Sequence, residues 1–160
     1  MITIKRLGTV SAISATLLMA GCGFIDDGKD KMYGSNADIV QEGDSFSYTS
    51  QTGSTSTRIA DLEFEGFSGT ETIWSLDAEK KADLRIDYSL TVDKGEFKVV
   101  LVTPSDRAVT IEEGSVGGIS IVTLDKGRNR IKFVGVRTAG KVEMHLQAGN
   151  AIKITNVSNR

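Results

Sequence analysis

From Asp44 to Ile154 the chain is written in short runs that alternate apolar and polar residues, broken by Gly, Asp, Asn and Lys. A period of two belongs to a strand with one buried face. The longest run spans 84–92. Leu84, Ile86, Tyr88, Leu90 and Val92 share one face, and Arg85, Asp87, Ser89 and Thr91 the other. Residues 96–103 carry Phe97, Val99 and Leu101 on one face and Val100 and Val102 on the other, the pattern of a strand covered on both sides. Asp93-Lys94-Gly95 between these runs predicts a hairpin turn.

The same reading predicts strands over 45–50, 58–67, 70–76, 108–111, 117–124, 129–136 and 142–146, with a short edge strand at 151–154. Polar breaks at 51–56, 77–81, 125–127 and 138–140 predict turns, and Pro104 ends the strand before it. Eight or nine strands about ten residues apart predict an all-β fold. The expected architecture is an antiparallel β-sandwich, jelly-roll or immunoglobulin-like. Trp74 lacks the flanking cysteines of a true antibody-like domain. Long strands and tight connections favour the jelly roll.

The start of the chain has a different texture. Lys5 and Arg6 precede an uncharged apolar stretch, Leu7 to Ala20, of fourteen residues, followed by Met19-Ala20-Gly21-Cys22 at its end. A basic start, an apolar run and a small-residue site make a secretory signal peptide. The run is shorter than the about twenty residues needed to span a bilayer. The stretch resembles the lipobox of bacterial lipoproteins, with Met19 at a position usually held by leucine. The resemblance covers only the first 22 residues. It implies cleavage before Cys22, lipid on Cys22, and an extracytoplasmic, lipid-anchored location at the cell envelope. Gly23, where an aspartate would signal retention at an inner membrane, implies outer-membrane sorting if a second membrane exists.

The expected organisation is therefore a signal peptide over 1–21, a lipidated Cys22 with a flexible tether over 22–41, one sandwich domain over 42–155 and a frayed tail over 156–160. Lys5 and Arg6 are the only charges before Cys22, so the remainder carries 17 basic and 21 acidic groups. This mild acidic balance argues against nucleic acid as a partner.

Candidate chemistry is sparse. Cys22 is the only cysteine and His145 the only histidine, which leaves no disulfide within the chain and no His/Cys metal cluster. No Gly-x-Ser-x-Gly elbow accompanies His145, which strand parity places on the solvent side. No enzyme activity, metal or cofactor is expected. Asp26, Asp27 and Asp30 lack the spacing of a calcium loop. Gly114 to Gly118 (GSVGG) lacks the lysine of a phosphate loop.

Asp61, Glu63 and Glu65 share one strand face about 7 Å apart, a solvated face or an ionic match to the outward stripe Arg128, Arg130 and Lys132. Carboxylates for sugar hydrolysis must oppose each other across a cleft, which one strand face does not supply. Trp74 with Tyr48 or Tyr88 is the candidate ligand groove, should Trp74 lie at a sheet rim instead of in the core.

Three function classes follow. One is a binding module for a glycan or envelope protein. The second is an assembly component that pairs through an edge strand. The third, a hydrolase, ranks well below them because the usual nucleophile and metal constellations are absent. A rim groove with Trp74 would favour the first, a long uncovered edge with apolar flanks the second.

Overall fold

A computed structural model describes residues 28–158 of the chain. The expected signal peptide, the lipidation site Cys22 and Asp26 and Asp27 lie outside the described residues. The fold is all-β and antiparallel, as the alternation predicts. Its eight strands are β1 (Ser45–Ser47), β2 (Ser50–Thr55), β3 (Ile59–Ala78), β4 (Ala82–Val102), β5 (Ala108–Glu113), β6 (Val116–Leu124), β7 (Gly127–Ala148) and β8 (Ile152–Asn156). A 3₁₀ turn, Lys29–Gly34, and one turn of helix, α1 (Asn36–Ile39), precede them.

All eight strands hydrogen-bond into one continuous sheet. β3, β7 and β4, of 20, 22 and 21 residues, lie side by side at its centre. β2, β1 and β8 pair in turn along the outer edge of β3. β6 and β5 do the same along the outer edge of β4. The sheet folds back on itself, so the two layers of the sandwich belong to one sheet. Separate jelly-roll or immunoglobulin sheets are not needed.

The ring of Phe64, in the first half of β3, lies 5.5 Å from that of Phe97, in the second half of β4. Trp74 Nε1 donates to the Ser56 carbonyl at 2.8 Å, tying the far half of β3 to a residue three positions before its start. Phe67, Trp74, Leu84, Ile86, Phe97, Phe133 and Leu146 are all buried in the single core between the layers. Each such side chain contributes about 1.5–3 kcal/mol on burial.

The fold-back explains three features of the sequence. In β4 the inward set changes from Leu84, Ile86 and Leu90 to Phe97, Val99 and Leu101, a slip from even to odd positions. In β7 it changes from Ile131 and Phe133 to Val142, Met144 and Leu146. Each slip coincides with register shifts between Val92 and Glu96 in the β4–β7 ladder. A bulge adds one residue to a strand and bends it, so the same face returns to the core after the bend. Asp93-Lys94-Gly95 and Thr138-Ala139-Gly140, expected as hairpin turns, are thus bends within β4 and β7. Gly95 has φ 72°, and a Cβ there would sit 2.1 Å from the Val136 carbonyl oxygen. The predicted strands 58–67 and 70–76 likewise merge into β3, across shifts beside Phe67.

Residues 51–55 of the expected turn over 51–56 belong to β2. Its sequence SQTGST has no apolar side chain, and its backbone ladder to β3 holds it.

A larger correction concerns the tether. Residues 28–41 are folded, not free. Ser35 caps α1, its hydroxyl accepting from the Asp38 N–H. Ile39 is fully buried and packs in a second core with Val100, Val102 and Val134, flanked by Tyr33, Val40 and Ala108. The segment covers the outer face of the second layer, which is why Val100 and Val102 read as apolar on the far side of β4.

Candidate functional site

The proposed aromatic groove does not form. Trp74 is fully buried and packs edge-on against Phe133, with ring centroids 6.5 Å apart. Tyr48 is half-buried, stacked 4.8 Å from Phe67, and its hydroxyl donates to the Glu71 carboxylate. Glu112, with burial, pushes the Tyr88 pKa up to about 12, and Tyr88 lines the open groove described below without Trp74. Trp74 is core because its even position on the second half of β3 faces the other layer, and its one polar atom finds Ser56 there.

The basic stripe is a clamp, and only part of it faces outward to water. Arg128 is exposed and lies 3.3 Å from Glu42. Arg130 and Lys132 are buried. Arg130 donates to the carbonyls of Gln41 and Val40, both at 2.8 Å, and sits 3.5 Å from Asp106. Lys132 Nζ donates to the Gln41 carbonyl at 2.7 Å and to Asp44 at 3.2 Å. Asp44 also accepts from the Thr72 N–H and hydroxyl at 2.9 and 2.8 Å. Burial lowers the Lys132 pKa, against the opposing pull of Asp44. Strand parity alone places these side chains on an outer face; the folded segment 28–44 then covers them. Buried cations with several acceptors hold a chain segment firmly, since removing either side strands the other.

The acidic face belongs to the other layer. Asp61 lies opposite Glu143, and Glu63 opposite Lys141, across β3 and β7. The match expected from the Arg128 stripe comes instead from Lys141, whose Nζ is 2.6 Å from Glu143 and 3.7 Å from Asp61. His145 stands on the same outer face, between Ile59 on β3 and Asp87 on β4. Ile59, Asp61, Asp87, Ser89, Glu143 and His145 line a shallow open groove of about 490 Å³. Its carboxylates are already engaged. Asp87 pairs with Arg85 at 2.8 Å and accepts from the Gln147 amide. Among the described residues no group of three His, Cys, Asp or Glu side chains could hold a metal ion.

The most distinctive surface lies beside this groove. β6 pairs with β4 along one side, and among the described residues no strand pairs with its other side. Its nine residues, VGGISIVTL, include no charge and no proline. Ile119 and Ile121 are 56% and 65% exposed on the outer face, and Val116 and Val122 are half-buried on the inner one. The other edges are defended by the usual means. β1 has three residues, β2 has no apolar side chain, β5 ends in Glu112 and Glu113, and β8 carries Lys153. The uncharged run 116–124 was visible in the sequence; what hid its meaning was that alternation cannot tell an edge strand from a central one.

No protein-family model matches this chain, and comparison with curated proteins finds no relative.

Proposed function

We propose that the protein is an exported, lipid-anchored component of a bacterial cell envelope that works by assembly, pairing the free edge of β6 with a strand of another chain. The observation that carries this reading is the nine-residue uncharged edge with Ile119 and Ile121 exposed. Such an edge offers unpaired backbone donors and acceptors and apolar side chains to an incoming strand. Left uncovered, the same features make it an aggregation hazard. The glycan reading loses its platform with Trp74 in the core.

The anchor rests on the lipobox-like residues Met19 to Cys22. Lipid on Cys22 would hold the domain at a membrane surface, with several acyl chains giving stable attachment. Among the described residues no helix is long and apolar enough to cross a membrane.

The test compares native-gel complexes from membranes of cells expressing the wild type and Ile119→Lys/Ile121→Lys. The reading expects a complex larger than the monomer that collapses to monomer in the variant. A complex of the same size in both contradicts it. Cys22→Ala tests the anchor separately: labelled fatty acid should enter the wild type and not the variant.

A further inference from the structure

We infer that the strand which covers β6 is β6 of a second copy of this chain, run antiparallel and centred on Ser120. This rests on the assembly reading above and names its partner.

Self-pairing imposes a strict condition. In an antiparallel pair related by a two-fold axis at residue 120, each position meets its mirror about 120. Few strands satisfy that condition, because like charges easily coincide. β6 satisfies it throughout. Ile119 meets Ile121 of the second copy, and the converse, so four exposed isoleucines join in one apolar stripe. Gly118 meets Val122, Gly117 meets Thr123, and Val116 meets Leu124. Only small or uncharged groups face each other.

Neighbouring strands agree. On the outer face Ile121 lies beside Arg85 and Ile119 beside Asp87. A rung of the joined sheet would therefore run Arg85, Ile121, then Ile119 and Asp87 of the second copy, with no charge facing the new seam. Shifting the axis breaks the match. Centred on Ile119, only one isoleucine pair remains and Ile121 would meet Gly117; centred on Ile121, again only one remains and Ile119 would meet Thr123. An even sum of positions also keeps the outer faces together, which an odd one does not. Two copies held in one membrane surface meet at high effective concentration, so a contact limited to one strand pair suffices.

The experiment uses the full chain in membranes, with single cysteines added to the wild-type background. Ser120→Cys places two thiols across the axis, within reach of oxidation or a short bis-maleimide. Thr123→Cys places them six residues out of step, about 20 Å apart along the strand. The proposal expects a cross-linked species of twice the monomer mass for Ser120→Cys. It expects monomer for the wild type, for Thr123→Cys, and for Ser120→Cys combined with Ile119→Lys/Ile121→Lys. Circular dichroism checks that each variant folds.

An adduct of another mass from Ser120→Cys, lost with the lysines, overturns the second copy while leaving the edge as an assembly surface. Equal dimer yields from Ser120→Cys and Thr123→Cys overturn the register and with it the proposal. Monomer throughout, with native complexes unchanged by the lysines, overturns both this inference and the assembly reading.

Discussion

Lys132, fully buried on β7, donates its ammonium to the carbonyl oxygen of Gln41 at 2.7 Å. Two residues 91 apart in sequence are thereby joined, and the segment expected to be a loose tether becomes part of the fold. Arg130 repeats the device one turnover of the strand away, on Gln41 and Val40.

Lys132→Ala should therefore leave the Asp44 carboxylate without its cation and the Gln41 carbonyl with Arg130 alone. Asp44 is partly exposed, which softens the loss, so the expected destabilisation is roughly 2–3 kcal/mol. Chemical denaturation measures it. Limited proteolysis should cut first within 28–44 in the variant and elsewhere in the wild type.

Trp74 supplies a spectroscopic prediction. Fully buried, with Nε1 bonded to Ser56, it should emit at short wavelength and resist acrylamide quenching. Addition of cell-wall glycans should not move that emission. Ready quenching in the folded protein would contradict its place in the core.

Tyr88 gives a prediction in pH. Its folded pKa of about 12 exceeds the unfolded value of 10.0. Between those values the folded state holds a proton that the unfolded state has lost. The stabilisation is fully present below pH 10.0 and is lost as pH rises through about 12. Absorbance of tyrosinate should lose a late component in Tyr88→Phe, and Glu112→Gln should bring that component earlier; burial and Glu113 hold Tyr33 later still, so its transition remains in Tyr88→Phe.

Gly95→Ala tests the bend in β4. With φ 72° and the Val136 carbonyl in the way, an added methyl should cost about 1–3 kcal/mol or more. The same change at Gly114, where nothing lies within 4 Å, meets no contact and should cost less, from its positive φ alone. Thermal unfolding of the two variants makes the comparison.

The strand content and most inward faces were legible from period two alone. Leu84, Ile86, Leu90, Phe97, Val99 and Leu101 all point where alternation puts them. The connectivity was not, because a parity slip at Asp93-Lys94-Gly95 looks the same whether the chain reverses or merely bends. Only the pairing of β7 alongside both halves of β4 decides between them. Lys132 was misplaced for a related reason. Parity identifies a face, and whether that face meets water depends on a segment some ninety residues earlier. Trp74 could be read either as groove or as core until Ser56 appeared beside its ring nitrogen. The candidate surface was half-legible: residues 116–124 announced an uncharged strand, and the topology made it an edge.

The most direct measurement of the central claim is amide hydrogen exchange on the full chain in detergent micelles, comparing the wild type with Ile119→Lys/Ile121→Lys. If β6 is covered by a partner strand, residues 116–124 will exchange slowly in the wild type and several-fold or more faster in the variant, while 152–156 in β8 stay unchanged. Equal exchange across 116–124 in the two proteins would show that the edge stands open and would contradict the account.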